Sequence, residues 1–250
     1  MLCPINQAIT MIAHSQGTVY ATMAIAAFPE WFASFVCLEG FGGFGYSYGR
    51  IRTEEVGFAE PSRALRLSYE SLAALAAREQ RGGPPKSYTG LEHAAETMVR
   101  VVDAMEPRPV RMRMSSARAI LSRATAPAPG GQSSALIITH DTRVNVGTAL
   151  QLFGFPEMVE MHSRLPPTLV LLADRGYPNI VQVARSFHRR LPTEKQRTIT
   201  ISVLGDGSSH HVHLDEPARV AEHVLAFLSD GTTRPGPHLP RPAEAPDSRL

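Results

Sequence analysis

Cysteine is scarce. Only Cys3 and Cys37 carry a thiol, too few for a disulfide framework and without the spacing of a metal pair, so the expected compartment is reducing and intracellular. An excess of one charge sign is lacking too: 25 Lys and Arg stand against 23 Asp and Glu, a net charge of +2. So even a balance gives no electrostatic reason to expect a nucleic-acid or membrane surface. A clean apolar run of about 20 residues, the length of a membrane span, is absent. The stretch from Ile9 to Leu38 is broken by His14, Gln16, Pro29 and Glu30. The first residues also lack the basic and apolar regions of a secretory leader, and no internal repeat is found. What the 250 residues do have is a 43% hydrophobic content, enough to bury a core as one domain with an insertion or as two small ones.

Ile9 to Ala13 is a short apolar run with β-branched residues, and Thr18 to Phe28 is Ala-rich and closed by Pro29. This reads as strand, tight turn, helix. "ASFVCL" (33–38) and "TLVLLA" (168–173) are continuous apolar runs, as expected of parallel strands covered on both faces, with Thr198 to Leu204 a weaker third. Val181 to Leu191 and Pro217 to Leu228 have helical periodicity, the latter opened by proline in its first turn. The order is βαβ, an intervening block, then βαβα, an α/β protein with a parallel sheet. The block from about Phe44 to Arg164 shows little strand signal. Helical segments around 61–80, 90–105 and 115–123, separated by "RGGPP" and "APAPGG", read as an inserted helical lid. Glycines 40, 42, 43 and 45 read as a flexible exit from the second strand, and the Pro-rich residues 230–250 have little to bury and are expected to be disordered. The predicted division is a core of residues 1–43 and 165–229, a lid of 44–164 and the tail.

Ala13-His14-Ser15-Gln16-Gly17 approximates the G-x-S-x-G turn that presents a nucleophilic serine between strand and helix. Small residues at minus two and plus two are expected because bulky ones would strike the adjoining strand and helix. The bland alternative is a serine that merely caps a helix. Near the other end, "GDGSSHHVHLDEP" places His210, His211 and His213 just before the last helix. Three histidines invite a metal reading, but one such group without a second ligand set is poor zinc evidence. A solvated loop is a further alternative. In an α/β architecture, a loop after the last strand is also where a general base is presented, with chain order Ser, acid, His. His210 is the candidate.

The elbow, the lid and the closing "SHHVHLDEP" with its amphipathic helix resemble the α/β-hydrolase superfamily, and within it the serine hydrolase-like proteins, a branch related to haloalkane dehalogenases and epoxide hydrolases. The resemblance covers most of residues 6–229 and includes "THDTRV" (139–144), similar to an R-x-D-x-R-L segment of that branch, and "PPTLVLLADRGYP". It implies that His210 holds the catalytic position and His213 a supporting one. Many members carry the acid just after the strand at 168–173, where this chain has Gly176, and glycine cannot orient an imidazole. Dehalogenase-like members place it at the end of the strand after the elbow helix, where Glu39 stands. A carboxylate ending an apolar strand is costly to bury unless paired, and a glutamate turned to solvent is the alternative. Glu39 is the first candidate acid and Asp174 the second, while Asp141 reads as structural. The resemblance implies acyl transfer on a small ester or acyl substrate, with the Gln16 amide as an oxyanion donor and no cofactor. A serine in place of aspartate argues against dehalogenase and epoxide hydrolase chemistry.

In the complete superfamily fold the elbow ends the fifth strand. Here about eight residues precede it, so the resemblance implies an N-terminally truncated form that keeps strands five to eight, with strand 9–13 as an edge. The second oxyanion donor normally comes from the loop after the third strand, and losing one donor costs about 10²–10³ in rate. A non-catalytic, hydrolase-fold binding protein is therefore the competing expectation. Ser248-Arg249-Leu250 resembles an S-K-L peroxisomal address, which implies a peroxisomal import receptor as partner, with a cytoplasmic location as the alternative.

Overall fold

The computed structural model describes residues 8–41, 77, 87–104, 112–128, 135–139, 155–176 and 180–230. Strand β1 (Ile9–His14) leads through Ser15 into helix α1 (Gln16–Ala27), and a single turn, Pro29–Trp31, passes the chain to β2 (Phe32–Leu38). Pro29 stops α1 because it has no N–H to continue the ladder. Later come β6 (Thr168–Arg175), α5 (Ile180–His188), β7 (Ile199–Ser209) and α8 (Pro217–Ser229). The four strands form one parallel sheet in the order β1-β2-β6-β7.

Side chains alternate across this sheet with period two, and that alternation builds two cores. Phe35, Cys37, Val170 and Leu172 face one side, packed with Ile25 of α1 and Ala184 and Phe187 of α5. Val36, Leu38, Leu169 and Leu171 face the other, packed with Leu204 and with Val220 of α8. Burial on both faces is why β2 and β6 read as unbroken apolar runs rather than alternating ones. Helix α4 (Phe155–Ser163) puts Met158 into the first of these cores beside α1, so a helix that falls within the expected lid is packed on the sheet.

The described part of the inserted block is not purely helical. Helices α2 (Leu91–Ala104) and α3 (Met114–Ala124) lie where the periodicity places them. Three short strands accompany them: β3 (Ser87–Tyr88), β4 (Thr125–Pro127) and β5 (Leu136–Ile138), antiparallel in the order β3-β5-β4. Strands of two or three residues are too short to show period two in sequence, so this sheet adds strands to a block whose sequence carries little strand signal. The block has its own core of Tyr88, Ala94, Ala95, Met112, Ala117 and Leu121. The expected helix around 61–80, apart from residue 77, the segment containing Asp141, and the C-terminal tail with Ser248-Arg249-Leu250 lie outside the described residues. Among the described residues no helix is long and apolar enough to cross a membrane.

His162, in the last turn of α4, is 2% exposed. Its Nδ1–H donates to the Met158 carbonyl at 2.7 Å, and its ring lies edge-on to Phe41 and Phe187. Burial pushes its pKa down from 6.5 to about 4, so on acidification the unfolded chain takes up the proton first. The neutral imidazole's contribution to stability is complete above pH 6.5 and declines as the pH falls toward the folded value, with a slope of up to about 1.4 kcal/mol per pH unit. Urea midpoints should therefore fall between pH 7 and pH 5, and His162→Phe should flatten the profile. Equal slopes for the two proteins would contradict this assignment.

Candidate active site

Ser15 is the one residue between strand and helix, and it makes the turn at φ 53°, ψ −129°. A non-glycine residue holds this left-handed conformation only where its surroundings over-determine it. Here the Ser15 N–H donates to the Leu38 carbonyl at 2.8 Å, which ties the turn to the end of β2. Its carbonyl accepts from the Thr18 N–H at 2.9 Å and the Thr18 hydroxyl at 2.7 Å. The crowded neighbour is Gly40: a Cβ there would lie 2.4 Å from Thr18 Oγ1 and 2.8 Å from the Ser15 carbonyl. Gly17 is expected to be small for the same reason, but a Cβ on Gly17 would meet no atom within 4 Å beyond its chain neighbours and the backbone of its own helix. The steric demand assigned to plus two therefore falls on the chain leaving β2. Gln16 opens α1, where a backbone N–H has no intrahelical carbonyl to meet.

The end of β2 supplies Glu39, also with positive φ at 52° and with 0% of its surface exposed. Its N–H donates to the Leu171 carbonyl at 2.9 Å, and Oε1 accepts from the Ala173 N–H. Oε2 lies 3.1 Å from Nδ1 of His210. On the other side of that imidazole, Nε2 is 2.8 Å from the Ser15 hydroxyl. The structure thus brings Ser15, His210 and Glu39 into one chain of hydrogen bonds across the rim of the sheet. With Nδ1–H donating to the carboxylate, Nε2 is left to accept from the serine.

Gly176 explains how the carboxylate fits. A Cβ at that position would lie 2.1 Å from Glu39 Oε2 and 2.6 Å from its Cδ. The backbone at the end of β6 has thus given its side-chain volume to an acid from the neighbouring strand. Asp174, the second candidate acid, is exposed, and its Oδ2 accepts from the Gly207 N–H at 3.2 Å. The structure does not bring it to His210.

Histidines 14, 210, 211 and 213 converge on this rim. His14 Nε2–H donates to the His210 carbonyl at 2.8 Å. The His14 ring centroid is 4.4 Å from that of His213, 4.7 Å from His210 and 5.3 Å from His211. Burial first, and His213 second, push the His210 pKa down to about 3. His14 is pushed down to about 3 by burial and then by His210, and His211 to about 4 by burial and its histidine neighbours. His213, expected in a supporting role, packs on His14, which in turn holds the His210 backbone. Among the described residues no group of three or more His, Cys, Asp or Glu could hold a metal ion. Sequence reasoning passed over His14, whose only signal was a histidine immediately before the serine.

No protein-family profile and no curated protein matches the sequence. Solved structures do. A hypothetical protein of Pseudomonas aeruginosa PAO1 superposes with a TM-score of 0.62 at 21% identity, covering 89% of this chain and 68% of its own. An α/β-hydrolase of Novosphingobium aromaticivorans gives 0.55 at 16% identity, covering 89% and 66%. The thioesterase domain from the curacin biosynthetic pathway gives 0.54 at 17%, covering 88% and 67%. The fold is that of the α/β-hydrolases. The chain spans about two thirds of the length of each of these neighbours.

Gly176→Ala should separate Glu39 from His210, because the new methyl takes the carboxylate's place, with a destabilisation of about 1–3 kcal/mol from overpacking. The low-field proton resonance of His210 Nδ1–H should disappear or move upfield. An unchanged resonance would mean that Glu39 is not held by the space at Gly176.

Proposed function

We propose that the chain is a serine hydrolase that acts by acyl transfer on a small ester or acyl substrate, with Ser15 as nucleophile, His210 as general base and Glu39 as the acid. The observation that carries this reading is the alignment of Ser15 Oγ, the His210 imidazole and Glu39 Oε2 at 2.8 and 3.1 Å. An unassisted serine hydroxyl is a poor nucleophile, and a neutral imidazole in contact with it removes its proton as attack begins. Burial keeps His210 neutral at rest, which is the form the base needs.

In the first step Ser15 Oγ bonds to the carbonyl carbon, its proton passes to His210 Nε2, and the carbonyl oxygen becomes an oxyanion within reach of the Gln16 N–H. The imidazolium that results is stabilised by Glu39. Collapse of the adduct breaks the bond to the leaving group, which takes the proton from Nε2. Water then attacks the acyl-enzyme, gives a proton to His210, and the acid product leaves as Ser15 recovers its own. The fold of the structural neighbours supports hydrolase chemistry of this general kind, and one of them is a thioesterase domain by name. The lid is proposed to select the substrate.

A chain that binds without turnover is the competing reading, since a likeness in fold does not by itself carry a catalytic activity. A fluorophosphonate probe separates the two: the hydrolase reading expects labelling of wild-type protein at Ser15 and none in Ser15→Ala. Folded wild-type protein that resists the probe would reject it. Glu39→Gln should reduce turnover by about 10⁴-fold, the scale seen when a triad carboxylate becomes an amide. Because activity requires neutral His210 and burial lowers its pKa, the acid limb of kcat/KM should lie below pH 6.5, with activity kept as the pH falls through that value. For Ser248-Arg249-Leu250, peroxisomal import is proposed on the tripeptide alone. A fluorescent reporter ending in residues 231–250 should enter peroxisomes, and removal of Leu250 should leave it in the cytosol.

A further inference from the structure

We propose that Asp215 is a positioning residue that ties the inserted block to the loop carrying His210, so that the seating of one sets the orientation of the other. The proposal rests on the reading of His210 as the base. Asp215 ends α7 (Val212–Asp215), a single turn that begins two residues after His210. It is 4% exposed, and a buried carboxylate is tolerated only where hydrogen bonds replace its water. Both of its oxygens are occupied: Oδ1 accepts from the Ser116 hydroxyl of α3, and Oδ2 from the Ser209 hydroxyl at the end of β7. Ser116 and Ser209 are each 1% exposed.

The two serines sit on opposite sides of the coupling. Ser209 Oγ also accepts from the His211 N–H at 3.2 Å, so the residues flanking His210 are closed on one hydroxyl, and that hydroxyl is fixed by Asp215. Ser116 belongs to a helix whose apolar side chains pack in the block's own core, with Ala117 and Leu121 in that cluster. Arg113 adds a second tie from the same segment. Its Nη1 donates to the Asp215 carbonyl at 2.7 Å, and its Nη2 pairs with Glu216. If α3 shifts, Asp215 loses one of its two donors, and the oxygen that remains paired is the one holding Ser209. A carboxylate suits this task because it accepts at two oxygens and donates at neither. An amide there would accept from only one of the two serine hydroxyls and would have to donate to the other, reversing that bond. A residue that never reaches Ser15 thereby controls how His210 faces it.

The test uses the full chain with Ser116→Ala, which removes a hydroxyl from the block without touching the His210 loop, and Asp215→Asn, which keeps the volume. In both, the rate constant for fluorophosphonate labelling of Ser15 should fall about tenfold or more, as for other residues that orient a functional group through one intervening contact. The proton resonance of His210 Nδ1–H should shift, and Ser116→Thr, which keeps the hydroxyl, should restore both readouts. Wild-type labelling rates and an unmoved resonance in Ser116→Ala or Asp215→Asn, with at most a lower Tm, would overturn the proposal and leave Asp215 a structural residue only. If wild-type Ser15 is not labelled at all, the hydrolase reading fails. The coupling is then judged on the resonance alone, a shift in Ser116→Ala supporting it and no shift rejecting it.

Discussion

Glu39 carries a carboxylate with no exposed surface at the end of an apolar strand, and the rim of the sheet is arranged around the cost of keeping it there. An unpaired buried charge costs several kcal/mol and would shed its charge or leave the interior. Three local features prevent that. The Ala173 N–H meets Oε1, the His210 imidazole meets Oε2, and residue 176 has no side chain to occupy the same volume. The register between β2 and β6 sets the first of these, since Leu38 pairs with Leu171 and Glu39 thereby comes level with the residues that follow. The loop after β7 sets the second.

A parallel sheet makes such convergence possible. The strands run the same way, so the ends of β1, β2, β6 and β7 lie at one rim, and residues far apart in sequence meet there: Ser15 after β1, Glu39 after β2, Gly176 after β6 and His210 after β7. Two of these four, Ser15 and Glu39, take positive φ without being glycine. Local strain of this kind persists when the surrounding structure over-determines it, and the fixation is visible in the bonds from Ser15 to Leu38 and from Glu39 to Leu171. The cores on either face of the sheet keep those strand ends still.

Much of this was legible in the residues. The apolar runs at 33–38 and 168–173 announced strands covered on both faces, and the Ala-rich stretch closed by Pro29 announced α1, because burial and proline leave direct marks in sequence. The Ala13-His14-Ser15-Gln16-Gly17 pattern before that stretch announced the tight turn between strand and helix. Other features left no such mark. The three short strands of the inserted block fall below the length at which alternation is visible. The role of Gly40 was hidden because a glycine required by close approach to Ser15 and Thr18 looks the same in sequence as a glycine in a loose connection. Gly176 was noticed for what it lacks, an acid, whereas its contribution is the space it leaves. His14 and Asp215 were passed over since each acts on a residue nearly two hundred positions away or on a separate segment, and no local pattern encodes those pairings.

The electrostatics of the rim give the same residues their division of labour. Burial first, and the His213 imidazole second, hold His210 in its neutral form. That favours accepting a proton only if something stabilises the cation once it forms. Among the described groups in hydrogen-bond contact with the ring, Glu39 is the anion placed to do so, at 3.1 Å in a site with little water to screen it. In the proposed mechanism, burial and His213 make the resting base neutral, and the carboxylate makes the protonated state reachable. A larger residue at 176 would remove the second condition while leaving the first intact, so in the proposed mechanism the absent side chain at 176 decides whether the imidazole can complete a proton transfer.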